Sequence, residues 1–236
     1  MLLLGLRMKR TEIIQNIINR INARTYLEIG VSRGSNFFPI KAQRKIGVDT
    51  HFNFGIRKMI KWYCKNIYNL WAQFHEMDSD SFFAQNRLVN GIDVAFIDGL
   101  HTYEQSLKDV VNSLNYLNQG GVIIMHDCNP RSEDAACPAI YVDPTSSSNP
   151  QSWNILWNGD VWKTICHIRS TYHDLNVFVL DCDQGLGIIS RGYPEGMLSL
   201  THEQIENMTY SDMAKDRNML LNLKDKYYLF NFLDSA

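Results

Sequence analysis

A chain of 236 residues is long enough for one α/β domain with a well-filled core. Hydrophobic residues make up 45% and charged residues 20%, which excludes a disordered or low-complexity chain. The net charge is −2 and no block of Lys or Arg stands out, so sequence-independent nucleic-acid binding through a basic face is not expected.

The cysteines (Cys64, Cys128, Cys137, Cys166 and Cys182) are scattered, odd in number and without a C-x-x-C pair. That usage predicts reduced thiols in a cytoplasmic protein, not a disulfide framework or a zinc site. The opening MLLLGL is apolar for only six residues before Arg7, too short to span a membrane, and no cleavage site follows. No membrane partner is expected.

Along residues 10–23, Ile13, Ile14, Ile17, Ile18 and Ile21 share one helical face, with Thr11 as the expected N-cap. YLEIGVSRG, residues 26–34, reads as a buried strand running into a turn at Gly30 and Gly34. Glu28 sits inside that apolar run and needs partners if buried. KIGVDTH, 45–51, is a second short strand ending at Asp49. Strand, glycine turn, strand and acid form the arrangement that holds a nucleoside on a parallel sheet, the acid accepting from the ribose hydroxyls. The pattern from Glu28 to Gly34 is E-x-G-x-x-x-G, with Val31-Ser32 where a dinucleotide site needs its close-approach glycine. A cofactor without a pyrophosphate does not need that glycine.

Residues 54–66 predict a helix with Ile56, Met59, Ile60 and Tyr63 on one side, and 70–76 a strand reaching Asp78-Ser79-Asp80. A short helix over 81–90 closes at Gly91. IDVAFIDG, 92–99, is the clearest buried strand and ends at Asp98. The next helix opens on a capping box of Thr102 and Gln105, keeps its period through Leu107, Val110, Val111, Leu114 and Leu117, and stops at Gly120-Gly121. VIIM, 122–125, is another strand, and His126-Asp127 stand at its tip. Residues 128–152 lack periodicity and contain PTSSSNPQS, which predicts a lid or binding loop over the acceptor. A helix from Gly159-Asp160, a hairpin over 174–192 and a helical tail over 201–234 (Leu220, Leu221, Leu223, Tyr227, Phe230) complete the chain.

Strands alternating with helices give a mostly parallel sheet covered on both faces, and the closing hairpin makes the last strand antiparallel. Motif I at 26–34, FIDGLHTYE at 96–104 and GGVIIMHD at 120–127 together resemble the class I S-adenosylmethionine-dependent methyltransferases. They are most similar to the subgroup of small-molecule and sugar O-methyltransferases that carries F-I-D-G-x-H-x-Y-E and G-G-x-I-x-x-H-D. The resemblance covers residues 20–192. It implies a Rossmann-like seven-stranded sheet, a methyltransferase domain over 1–195 and a helical tail over 196–236.

The same resemblance implies S-adenosylmethionine as cofactor and a hydroxyl on a small molecule, a sugar or another secondary metabolite, as methyl acceptor. Glu28, Gly30, Ser32 and Gly34 would shape the methionine end, Asp49 would hold the ribose, Asp78 and Ser79 would approach the adenine, and Asp98 would border the cofactor. Asp98, His126 and Asp127 stand where related enzymes hold a divalent cation, here manganese or magnesium. His126 departs from the acid that those enzymes carry there: imidazole suits manganese better than magnesium, and it speaks less for a metal than for His126 as a general base. A charge argument favours the metal, since two carboxylates beside a nucleophile that must become negative need compensation. Alternatively, His126 or His101, with Asp98, removes the hydroxyl proton directly. Two other readings stay open: an NAD-type oxidoreductase, and a non-catalytic S-adenosylmethionine-binding protein. A homo-oligomer is compatible with all of them.

Overall fold

The computed structural model describes residues 8–85, 88, 90–138 and 157–235. Its strands are β1 (Thr25–Ile29), β2 (Arg44–Asp49), β3 (Gln73–Glu76), β4 (Ile92–Ile97), β5 (Leu117–Met125), β6 (Leu175–Leu180), β7 (Leu186–Arg191) and β8 (Leu223–Lys224). They form one sheet in the order β3-β2-β1-β4-β5-β7-β6-β8. β1 to β5 run parallel, and β7 lies antiparallel between β5 and β6. The sheet therefore has eight strands where seven were expected. The extra one is the two-residue β8, which pairs with the outer edge of β6.

The helices are α1 (Arg10–Arg20), α2 (Ile56–Lys65), α3 (Ser79–Ala84), α4 (Tyr103–Tyr116), α5 (Trp162–Thr171), α6 (His202–Asn207), α7 (Tyr210–Lys215), α8 (Arg217–Leu221) and α9 (Tyr228–Ser235). The sheet is apolar on both faces. Ala95 and Ile97 of β4, with Ile123 and Met125 of β5, feed one core with α4, α5 and the tail helices. Val94, Phe96, Val122 and Ile124 feed the other, with α1 and α9. This period-2 division lets continuous apolar strands serve two layers.

Several expectations are corrected. Thr11 does not cap α1: the cap is Lys9, and Thr11 donates instead to Asn36 Oδ1 at 2.8 Å. The alternation implied a helix between β1 and β2, but residues 30–43 form turns, with Pro39 disfavouring helical backbone at Phe38. The strand expected over 70–76 forms only over Gln73–Glu76, and residues 70 and 71 belong to a 3-10 turn over Ile67–Trp71. Buried Asn66 coils this turn, accepting from Tyr68 N–H while its amide donates to the Phe38 and Ile40 carbonyls. α2 buries none of its residues, and Ile56 and Ile60 point to solvent.

α4 ends at Tyr116, and Leu117 already belongs to β5. Asn118 pins that extended stretch by donating to Asp93 Oδ1 at 2.8 Å. Thr102 caps α4, but the Gln105 side chain turns away to Ser79 and Asp109, so the reciprocal half of the capping box is not made. The tail is three short helices, a strand and a final helix. Its buried residues include Leu220, Leu221, Leu229, Phe232 and Leu233, whereas Tyr227 and Phe230 are exposed. Residues 1–7 and 139–152 lie outside the described residues, and with them MLLLGL and most of the expected loop.

Candidate active site

Parallel strands present their carboxyl ends on one edge, and two adjoining cavities open there. The first, of about 420 Å³, is lined by Gly30, Ser32, Asp49, Met77, Asp78, Ser79, Asp98 and Leu100, among others. The second, of about 900 Å³, is reached across Gly30, Ser32 and Asp98 and is bounded by Arg10, Glu28, Asn36, Arg131, Asp181 and Asp183, among others.

The glycine turn explains why the cavities meet. Gly30 has φ +85°, and a Cβ there would stand 2.0 Å from the Asp98 carbonyl oxygen. The turn can thus lie directly against the end of β4. Ser32 is also left-handed (φ 46°), and its N–H donates to Asp49 Oδ2 at 2.6 Å. His51 N–H donates to Asp49 Oδ1 at 2.9 Å. Two backbone amides thereby fix the Asp49 carboxylate at the cavity wall.

Asp78 is the N-cap of α3, accepting from Ser81 N–H at 2.7 Å, and this bond holds its carboxyl below the usual range. Ser79 is buried and donates to Asp109 Oδ1 at 2.6 Å. Burial pushes the Asp109 carboxyl up to about 6 despite that bond. Both Asp78 and Ser79 line the first cavity.

Glu28 is buried and lies at the second cavity. Tyr26 donates its hydroxyl to Glu28 Oε2, and Asn36 Nδ2 donates to the same oxygen at 3.0 Å. Burial pushes the carboxyl up to about 8, against the opposing pull of these two donors. Its partners are hydrogen-bond donors, and the chain from Thr11 through Asn36 to Glu28 ties α1 to the glycine turn.

Asp98, His101, His126 and Asp127 converge as the sequence suggested, and the structure adds Arg10 and Asp183. Arg10 Nη1 donates to Asp98 Oδ2 at 2.7 Å, while its Nε and backbone N–H both donate to Asp183 Oδ2, at 3.0 and 2.8 Å. The buried His126 has its Nδ1 between Asp127 Oδ2 at 2.8 Å and Asp98 Oδ1 at 3.1 Å. Its Nε2 faces Asp183 Oδ1 at 3.9 Å, too far for a hydrogen bond, and has no other partner among the described residues. Burial would lower the His126 pKa, but the charges of Asp98 and Asp127 win and raise it well above the ordinary value. Burial would likewise raise Asp98, yet His126, His101 and Arg10 hold it well below the carboxylate range.

His101 differs from His126. Its Nδ1 lies 3.1 Å from the Trp157 carbonyl oxygen, which makes Nδ1–H the donor and leaves Nε2 facing Asp127 Oδ2 at 3.2 Å and Asp98 Oδ1 at 3.7 Å. Ligand atoms of Asp98, His101 and Asp127 all fall within 4.8 Å of one another. An imidazole tethered through one nitrogen to a carbonyl, with the other aimed between two carboxylates, suits a divalent cation. His126 binds the same carboxylates from its own side and orients them.

Sequence reasoning missed Arg10 and Asp183. Arg10 opens a helix 88 residues before Asp98, and Asp183 reads as an ordinary hairpin-turn residue. Only the fold brings them together.

Strand order and the antiparallel hairpin give the Rossmann-like methyltransferase fold. Residues 27–128 match the family model of a methyltransferase domain. The chain is 30% identical over 126 residues to the uncharacterized protein R132 of Acanthamoeba polyphaga mimivirus, covering 49% of this chain and 57% of that one. It thus spans little more than half the length of that relative. In three dimensions it is similar to the O-methyltransferase TomG of Streptomyces achromogenes, which is involved in tomaymycin synthesis and was solved with S-adenosylmethionine. That likeness has TM-score 0.55 and 12% identity, over 80% of this chain and 82% of that one. An O-methyltransferase of Bacillus cereus in complex with S-adenosylhomocysteine gives TM-score 0.50 and 15% identity, over 79% and 82% of the two chains. No helix among the described residues is long and apolar enough to cross a membrane.

Proposed function

We propose that this protein is an enzyme that transfers the methyl group of S-adenosylmethionine to a hydroxyl of a small molecule. The observation that carries the reading is the pair of cavities meeting at Gly30 and Asp98. Asp49 stands where ribose hydroxyls would donate to it, Asp78 and Ser79 flank the adenine region, and Glu28 and Gly34 support the turn around the methionine end. The methyl group would emerge at Asp98, facing the larger cavity where the acceptor sits. In-line alignment and removal of the hydroxyl proton are the main demands of such a transfer. The pocket lacks the second turn glycine that a pyrophosphate needs, which argues against the NAD-type reading.

Asp98, His101 and Asp127 would hold a divalent cation, manganese in preference to magnesium because one donor is imidazole. Bound there, the cation would lower the pKa of an acceptor hydroxyl. The charges support a further positive group. Asp98, Asp127 and Asp183 carry three negative charges, while Arg10 and a protonated His126 supply two positive ones. One charge remains, to be met by a cation or by a proton on His101. Arg10 therefore supplies part of the compensation that the carboxylates need. In the proton case His101 becomes the group that accepts the hydroxyl proton after losing its own, with Asp98 and Asp127 orienting it.

The test is methyl transfer from labelled S-adenosylmethionine to a panel of sugars and catechols, with and without chelator. The cation reading expects loss with chelator and better recovery with manganese than magnesium. Full activity in chelator, with loss in His101→Ala, assigns the proton to His101. No transfer to any hydroxyl acceptor, with bound cofactor, contradicts the enzyme reading.

A further inference from the structure

α2 and the 3-10 turn after it carry a solvent-facing surface that the proposed chemistry does not use. Ile56, Ile60 and Cys64, spaced i, i+4, i+8, are all exposed, and Arg57, Lys61 and Lys65 form the exposed row beside them. The 3-10 turn packs against α2 and adds exposed Ile67, Leu70 and Trp71, with Trp71 64% exposed. No acidic residue occurs between positions 50 and 75. Five of these large apolar side chains are more than half exposed among the described residues: Ile56, Ile60, Ile67, Leu70 and Trp71.

We propose that this surface docks the protein on an anionic lipid bilayer, with the apolar row and Trp71 in the interface and the basic row at the headgroups. An apolar stripe bordered by Lys and Arg is the pattern of helices that lie in the plane of a membrane. Tryptophan favours that depth because its ring is apolar with one polar N–H. One contact within the basic row leaves it charged. Lys65 Nζ lies 5.6 Å from the Trp62 ring centroid, an arrangement that leaves its charge intact. Lys58, by contrast, is spent on the Arg33 carbonyl oxygen and is not counted.

A second copy of the chain is a poorer occupant. A twofold contact through this face would set Arg57, Lys61 and Lys65 against the same residues of the other copy with no acid between them. The net charge of −2 makes the stripe a local feature and not part of a generally basic molecule. The proposal revises the expectation of no membrane partner, which rested on the absence of a spanning segment. The basic residues escape a search for charge blocks because they are spaced by one helical turn.

Co-sedimentation of the full chain with phosphatidylcholine vesicles, with and without phosphatidylserine, tests this. Binding is expected only with phosphatidylserine and should fall as salt rises. Lys61→Ala and Lys65→Ala should each weaken partitioning about fivefold. Ile60→Asp should weaken it by about tenfold or more. All three positions are exposed, so the thermal midpoint serves as a control and should stay unchanged. No sedimentation with phosphatidylserine vesicles, equal sedimentation with both vesicle types, or wild-type binding by all three variants overturns the proposal. A dimer in light scattering that Ile60→Asp converts to monomer, without vesicle binding by the wild type, overturns it too and assigns the face to a second copy.

Discussion

Arg10 Nη1 sits 2.7 Å from Asp98 Oδ2 while Arg10 Nε sits 3.0 Å from Asp183 Oδ2, so one guanidinium joins the first turn of α1 to the tip of β4 and to the hairpin turn. The fork geometry lets a single side chain satisfy two carboxylates that would otherwise repel each other. Arg10→Ala should lower stability by about 2–3 kcal/mol, measured by denaturant unfolding, since each acid loses a charged donor, Asp98 keeping only its histidines and Asp183 the backbone N–H of residue 10. Arg10→Lys should recover less than half of this, because an ammonium cannot make the forked contact. An Arg10→Ala protein as stable as the wild type would remove the bridge from the account.

Gly30→Ala tests the junction of the two cavities. The added Cβ would meet the Asp98 carbonyl oxygen at 2.0 Å, in a left-handed backbone conformation. The turn must move away from β4, costing about 2–4 kcal/mol of stability and carrying Ser32 and Asp49 with it. Calorimetry with S-adenosylhomocysteine should show affinity reduced by more than tenfold in the folded variant. Unchanged affinity would mean that the turn does not touch the cofactor.

Glu28 gives stability a pH dependence. Its folded-state pKa, pushed up to about 8 by burial, lies above its unfolded value, so its favourable contribution is full below the unfolded pKa and is lost as pH rises through about 8. Buried Lys45 is pulled down to about 7 and acts in the opposite sense, adding stability as pH rises from about 7 towards its unfolded value. Glu28→Gln should therefore flatten the decline between pH 5 and 8 by about 2–4 kcal/mol. Parallel pH profiles for the two proteins would show that the carboxyl is not held neutral.

The sequence carried the sheet because its signals were local and strong. IDVAFIDG and GGVIIMHD are apolar runs that end in acids, and β4 and β5 lie where those runs put them. Boundaries failed where a side chain overrode periodicity. Asn66 coils residues that alternate like a strand, and Asn118 extends residues that continue a helical period. The cluster around Asp98 was half legible. His101, His126 and Asp127 lie within 30 residues of Asp98 in motifs that name them, whereas Arg10 and Asp183 reach it only through the packing of α1 and the closing of the hairpin. The exposure of the α2 face was not legible for a different reason. Amphipathic spacing reveals that a helix has an apolar side but not whether the fold covers it.

Asp49 offers the most direct test of the claim that the cavity at the strand tips holds the nucleoside of S-adenosylmethionine. Its carboxylate is fixed by the N–H groups of Ser32 and His51 and has oxygen lone pairs left for two ribose hydroxyls. Titration calorimetry of the wild type with S-adenosylhomocysteine should give micromolar binding, and Asp49→Ala should weaken it by about 1.5–3 kcal/mol per lost hydroxyl bond. No binding by the wild type at millimolar ligand, or tighter binding of NAD, would contradict the account.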